Sequence, residues 1–122
     1  MSLKNNITEL VHTCFDASCD AGWWKLQPGQ LPDEKEFPIK LMLIVSELAE
    51  AMEADRRNMM DDKLSHRHGR EVELADAFIR ICDLAGAWQM DLGGAVVEKL
   101  AFNRTREDHK PEHRASIGGK AY

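Results

Sequence analysis

The chain has few cysteines, few aromatic residues and no long hydrophobic run. Its three cysteines form no C-x-x-C pair, and the first residues, MSLKNNITEL, lack the apolar core of a secretory signal. These two absences favour a reducing, cytoplasmic location. The longest apolar run, LMLIV, stops at Ser46 and is much shorter than the roughly 18 residues that a membrane span needs. We therefore expect no membrane partner.

Basic residues are also in the minority. The sequence has 16 Lys and Arg against 21 Asp and Glu, a formal net charge of −5. Because a nucleic-acid backbone needs a basic surface, we expect no nucleic-acid partner. A small anionic substrate stays possible if a metal ion stands between the acids and that substrate. With 122 residues, a single chain buries only a modest core, so self-association is expected.

The spacing of apolar residues predicts an all-α protein, a bundle of about four helices, because no segment alternates with a β period. The predicted helices cover about 3–20, 38–59 and 70–90, and the fourth contains AVVEKLAFNRTR. Three prolines and two glycines mark residues 22–38 as a long loop. We expect one helical domain over residues 1–108 and a polar tail or arm over 109–122.

Two copies of the tetrapeptide E-L-A-(E/D) place acidic residues inside apolar helical runs. Residues 47–50 read ELAE and residues 73–76 read ELAD. Since each helical residue turns by roughly 100°, the two acids of a copy share one face about 60° apart. The second helix is apolar nearly all round, which predicts that it is buried.

Four carboxylates on two packed helices would repel one another unless a cation lay between them. Hard oxygen ligands suit Mg²⁺, or Mn²⁺ in its place, better than zinc. The predicted metal ligands are Glu47, Glu50, Glu73 and Asp76.

The same pattern resembles a known family. E-x-x-E, a gap of about twenty residues, E-x-x-D and a later K-x-x-x-N-x-x-R are similar to the MazG-like all-α nucleoside triphosphate pyrophosphatases in their short single-domain form. The strings GWW, FPIKLMLIVSELAEAMEADRRN, GREVELADAFIRICDLAG and EKLAFNRTR carry the resemblance over roughly residues 20–108. Ser46 departs from the pattern because many members have Glu there, and the chain after Arg106 does not match it well.

The resemblance implies an activity. Such proteins use Mg²⁺ to cleave a nucleoside triphosphate between the α- and β-phosphates, giving a monophosphate and pyrophosphate. It also implies a homodimer or a tetramer and favours deoxynucleotides as substrates. By resemblance, a stripe of the fourth helix contacts phosphate and sugar, namely Lys99, Asn103 and Arg106.

Residues near the acids suggest further roles. Lys40 lies about 20° from Glu47 on the helical wheel, two turns earlier, and borders the same face. Either Trp23 or Trp24 is expected to stack on the base. Glu50 is our choice for orienting the attacking water, as the catalytic carboxylate.

Two other interpretations stay open. A carboxylate-bridged di-metal protein needs two Glu-x-x-His motifs, and this chain has one, Glu9 to His12. A non-catalytic helical module for dimerisation or regulation would keep no metal site. Added Mg²⁺ or Mn²⁺ should raise the melting temperature of a metalloprotein and leave that of such a module unchanged.

Overall fold

The regular secondary structure of the computed structural model, which describes residues 2–121, is helical. Its long helices are α1 (Leu3–Asp20), α2 (Glu36–Arg56), α3 (Gly69–Ala87) and α4 (Leu92–Thr105). A 3-10 turn at Glu107–His109 and a one-turn helix, α5 (Pro111–Arg114), follow. Over the described residues there is no β-strand, and no helix is both long and apolar enough to cross a bilayer. The all-α class is confirmed, whereas the bundle type and the assembly stay predictions.

The chain divides into two compact units. One unit, residues 9–90, holds most of α1 and all of α2 and α3. The other unit joins the first residues of α1 to the chain from residue 91 onward. The four predicted metal ligands, both loop tryptophans and Lys40 belong to the first unit. Lys99, Asn103 and Arg106 belong to the second.

The ends of α2 follow from local turns. A turn in which the Glu36 amide donates to the Asp33 carbonyl leads into the helix, so α2 begins two residues before the predicted Pro38. Pro38 still lies in the first turn, where its missing N–H leaves no hydrogen bond unmade. The helix ends at Arg56, earlier than the predicted residue 59, because Asn58 adopts a φ of 49°.

The start of helix α3 lies next to the end of α2 in space, although twelve residues separate them in the sequence. The His68 side chain caps it by accepting the Arg70 amide at 3.2 Å. A Cβ on Gly69 would lie 2.9 Å from the Cβ of Ala54, so the glycine allows the start of α3 to approach the end of α2. Because Phe37 near the start of α2 packs on Trp88 just after α3, the two helices run antiparallel.

A small core holds these two helices together. Ile44 of α2 packs with Ala77 and Leu84 of α3, and Phe37 and Trp88 cover this cluster. This packing faces the Glu47 side of α2 toward the Asp76 side of α3, since each acid lies within one turn of a core residue.

The expectation that α2 is buried all round is wrong for the single chain. Only Ile44, Ala51 and Ala54 of this helix are buried, whereas Met42 is 62 % exposed and Met52 is 59 % exposed. The physical reason is that α3 covers one side of α2 and leaves the opposite apolar side uncovered.

Candidate metal centre and adjoining cavity

Three of the four predicted ligands converge. One carboxylate oxygen from each of Glu47, Glu73 and Asp76 lies within 4.8 Å of the others, and all three residues are partly buried. Helix α2 supplies the first acid and α3 supplies the other two. The two helices thus bring together acids that are 26 or more residues apart in the sequence, as the repeated tetrapeptide predicted. We call these three residues the carboxylate cluster.

Glu50 lies at the rim of this cluster. It is exposed and is not among the three acids whose oxygens converge. Its carboxyl nevertheless comes within hydrogen-bonding reach of both Glu47 and Glu73. Glu50 can therefore complete a ligand set or hold a water molecule beside it.

Glu73 is the acid that most needs a cation. Burial raises the pKa of its carboxyl from 4.5 to about 8, and the hydrogen bond with Glu47 and the charge of Glu50 act in the same direction. Its Oε2 is buried and has no hydrogen-bond partner. An unpaired buried carboxylate oxygen is costly, so a bound cation would remove both the repulsion and the missing contact.

The pKa values of the other two acids of the cluster are shifted in opposite directions. Burial, followed by the negative charges of Glu47 and Asp61, raises the pKa of Asp76. Burial also acts to raise the pKa of Glu47, but hydrogen bonds with Arg80 and Glu73 outweigh it and the pKa lies below its ordinary value. The Arg80 Nε donates to the Glu47 Oε1 at 2.9 Å.

Sequence reasoning missed two charged neighbours of the cluster. Arg80 lies four residues after Asp76, on the same face of α3, so helical spacing could have found it. Asp61 lies in the connection between α2 and α3, where its Oδ2 accepts the amides of Lys63 and Leu64. No sequence period indicates that this turn brings Asp61 near Asp76.

A cavity of about 820 Å³ adjoins the carboxylate cluster within the first unit. Its walls include two members of the cluster, two cationic side chains and both loop tryptophans: Glu47, Asp76, Lys40, Arg80, Trp23 and Trp24. Cavities that bind small ligands usually measure roughly 300–1,000 Å³, so this one can hold a nucleotide. We call it the acidic cavity.

The two tryptophans have different surroundings. Gly22, with a φ of 83°, turns the chain after α1 and places both of them against the cavity. Trp24 is 6 % exposed, and its Nε1 donates to the Asp83 Oδ1 at 2.7 Å. The Lys40 Nζ lies 4.7 Å from the centre of the Trp24 ring. Trp23, at 75 % exposed, keeps its ring free.

The second unit holds the remaining predicted contacts. The Lys99 Nζ lies 4.9 Å from the ring centre of Phe102, and the buried Oδ1 of Asn103 has no hydrogen-bond partner. Arg106 is not on α4 as predicted, because the helix ends at Thr105 and Arg106 is extended, with a ψ of 133°.

Arg106 pairs with an acid that follows it. Its Nε and Nη2 donate to the two carboxylate oxygens of Asp108 at 3.0 and 2.6 Å. Lys120 reaches the same carboxylate at 3.1 Å. Asp108, the last residue of the predicted domain, thus pairs both with Arg106 and with Lys120 of the predicted tail.

The donor set of the cluster fits a small hard cation. Mg²⁺ binds oxygens at about 2.0–2.1 Å, so two of its ligands are at most about 4.2 Å apart. The three oxygens lie within 4.8 Å of one another, so small side-chain movements would bring them to a single ion. The absence of sulfur and nitrogen from these three donors disfavours zinc.

Comparison of the chain with known proteins identifies no family. No protein-family model matches the chain, and neither a curated protein nor a solved structure matches it. The motif spacing and the geometry of the cluster and the cavity are therefore what indicates a function.

Proposed function

We propose that the protein is a Mg²⁺-dependent nucleoside triphosphate pyrophosphohydrolase. The observation that carries this proposal is the convergence of Glu47, Glu73 and Asp76 at a cavity that also contains cationic and aromatic side chains. Hard ligands for a divalent cation, cations for phosphates and a ring for a base are the three contacts that a metal–nucleotide substrate needs. The resemblance to the MazG-like family names the same reaction.

The protein's own residues supply binding and orientation. Glu47, Glu73 and Asp76 would hold Mg²⁺, with Glu50 as a fourth, outer carboxylate. When bound there, Mg²⁺ neutralises charge on the phosphate oxygens and acidifies the attacking water. The exposed carboxylate of Glu50 orients that water toward the α-phosphorus.

The cavity walls divide the rest of the substrate between them. Lys40 binds phosphate oxygens from its position over Trp24. Trp23 stacks on the base because its ring is exposed, whereas Trp24 forms a fixed wall held by Asp83. Lys99, Asn103 and Arg106 belong to the second unit and stay predicted phosphate and sugar contacts from the resemblance alone, which also favours a deoxynucleoside triphosphate as substrate.

The di-metal oxidase interpretation finds less support at this site. Such proteins use histidines beside their carboxylates, and the three converging donors are all carboxylates. The interpretation as a non-catalytic module leaves unexplained why the buried Oε2 of Glu73 has no partner.

The test of the proposal is a panel of ribo- and deoxyribonucleoside triphosphates assayed for released pyrophosphate with and without Mg²⁺. We expect release from at least one deoxynucleotide, and we expect EDTA to abolish it. No release from any member in Mg²⁺ or Mn²⁺ would reject the proposal.

We further expect a homodimer or a dimer of dimers. Apolar side chains cover the side of α2 opposite Glu47, including Val45 at 47 % and Met52 at 59 % exposed. Leu74 and Phe78 of α3 are 56 % and 46 % exposed. Exposed apolar side chains on neighbouring helices often mark contact surfaces, and a second copy of the chain presents the same side chains.

Light scattering at micromolar concentration should report at least twice the chain mass of 13.8 kDa. Met52→Asp places a charge on the exposed side of α2 and should shift the protein toward the monomer. The control Arg57→Asp changes an already polar, exposed position and should not. A stable 13.8 kDa wild-type monomer would contradict this prediction.

A further inference from the structure

Arg80 contacts the carboxylate cluster and the acidic cavity at the same time. Its Nε donates to the Glu47 Oε1 at 2.9 Å, and its side chain also lines the cavity. The side chain is 42 % exposed, whereas that of Glu47 is 13 % exposed. A partly exposed guanidinium thus covers one ligand of the proposed metal site from the cavity side.

Arg80 and a metal ion compete for Glu47. An ion about 2.1 Å from the Glu47 Oε1 would lie at most about 5 Å from the Arg80 Nε, because that nitrogen is 2.9 Å from the same oxygen. Two cations at that distance repel each other strongly in a partly buried site. A metal ion that binds Glu47 therefore weakens the ion pair between Glu47 and Arg80.

The structure limits where a released Arg80 can bind. Asp76, one turn earlier on α3, is itself a proposed metal ligand. Asp83, about one turn later, already accepts the Trp24 Nε1 at 2.7 Å and a hydrogen bond from Ser18. Besides bulk solvent, the cavity that Arg80 lines is the remaining direction, and Lys40 already contributes a positive charge there.

We propose that Arg80 is a phosphate-binding residue that metal binding releases. Arg80 neutralises Glu47 until a metal ion takes that carboxylate, and it then turns into the cavity and binds the substrate triphosphate. Its planar guanidinium suits phosphate oxygens because it can donate two parallel hydrogen bonds. This inference rests on the proposed function, since it assumes the metal site and the triphosphate substrate.

The proposal predicts opposite effects on two ligands when Arg80 is changed. Arg80→Gln removes the competitor of the metal, so the protein should bind Mn²⁺ alone about three- to tenfold more tightly. The same variant loses a charged contact to phosphate, so it should bind inorganic triphosphate in saturating Mg²⁺ at least about tenfold more weakly. A purely structural role for Arg80 would weaken both.

Both affinities can be measured by isothermal titration calorimetry, without any catalytic turnover. The control is Arg70→Gln, because Arg70 pairs with Asp55 between the same two helices at 2.6 Å and does not line the cavity. It should change neither affinity. Arg80→Lys keeps the charge but not the paired donors, so its triphosphate affinity should lie between those of wild type and Arg80→Gln. If Arg80→Gln does not fold, Arg80→Ala replaces it, and the same two opposite shifts are expected.

The outcomes separate this inference from the proposed function. If wild type binds Mn²⁺ and triphosphate but Arg80→Gln shifts both affinities in one direction, or neither, Arg80 does not have this role and the pyrophosphohydrolase proposal stands. If wild type binds no Mn²⁺, both proposals are rejected. Only opposite shifts, absent from Arg70→Gln, support the release of Arg80 by metal.

Discussion

Glu47→Gln and Asp76→Asn are each expected to lower Mg²⁺-dependent pyrophosphate release by at least about a hundredfold while the helical fold survives. Each change keeps the shape of the side chain but removes an anionic oxygen from the carboxylate cluster. Loss of a residue behind a metal ligand already costs about 10- to 100-fold, so loss of a ligand should cost at least that much.

The matched control is Glu53→Gln. Glu53 lies on the same helix as Glu47 but pairs only with exposed Arg56 and Arg57 on the surface. Its variant should keep wild-type turnover, and circular dichroism should show equal helix content in all three variants. Wild-type turnover in either cluster variant would show that the ligands are assigned wrongly.

The two cluster variants should differ in stability without metal. Asp76→Asn removes one of the repelling acids and should stabilise the protein in EDTA. Glu47→Gln relieves repulsion too, but it also breaks the partly buried pair with Arg80, so it should bring no such gain.

Without metal, the protein should lose stability as the pH rises from about 5 to about 8. Burial raises the pKa of Glu73 from 4.5 to about 8, so within this window the folded state holds a proton that the unfolded state has lost. Folding is therefore favoured at the acidic end, and the gain disappears as the pH passes the folded pKa. The raised pKa of Asp76 acts in the same direction.

The expected size of this loss follows from the shift. One pKa unit corresponds to about 1.4 kcal/mol, which gives an upper bound of about 5 kcal/mol for Glu73. Partial exposure reduces the expected loss in unfolding free energy to about 2 kcal/mol. The lowered pKa of Glu47 contributes at a pH below its ordinary value of 4.5, outside this window.

Urea unfolding in EDTA at pH 5, 6, 7 and 8 measures this loss directly. Saturating Mg²⁺ should abolish or reverse this loss of stability with rising pH, because a cation binds the deprotonated cluster. In EDTA, Glu73→Gln should make the unfolding free energy much less dependent on pH. A wild-type stability that stays constant or rises over this range in EDTA would contradict the account of the cluster.

Local sequence patterns were enough to predict the four long helices, though not all of their ends, and the convergence of three of the four predicted acids. The i, i+3 spacing of the two tetrapeptides places an acidic face on α2 and another on α3, and apolar residues one turn away fix which faces meet. Glu50 lies farther out because a contact with one helix covers only part of α2. The angle between Glu47 and Glu50 on the helical wheel does not by itself show which of the two side chains α3 covers.

Other parts of the site depend on contacts between residues that are distant in the sequence. Trp24 is fixed by Asp83, 59 residues later, and no periodicity relates these two residues. Asp61 approaches Asp76 through the turn between α2 and α3. The fourth helix stops before Arg106, and the extended Arg106 pairs with Asp108, a side-chain contact that helical spacing does not predict.

The most direct test of the central claim is hydrolysis of the preferred triphosphate in ¹⁸O-labelled water with Mg²⁺. If the residues around the cluster direct water to the α-phosphorus, mass spectrometry should find the label in the nucleoside monophosphate and leave pyrophosphate unlabelled. Label in pyrophosphate would place the attack on the β-phosphorus, and a diphosphate with inorganic phosphate as products would contradict pyrophosphohydrolase activity altogether.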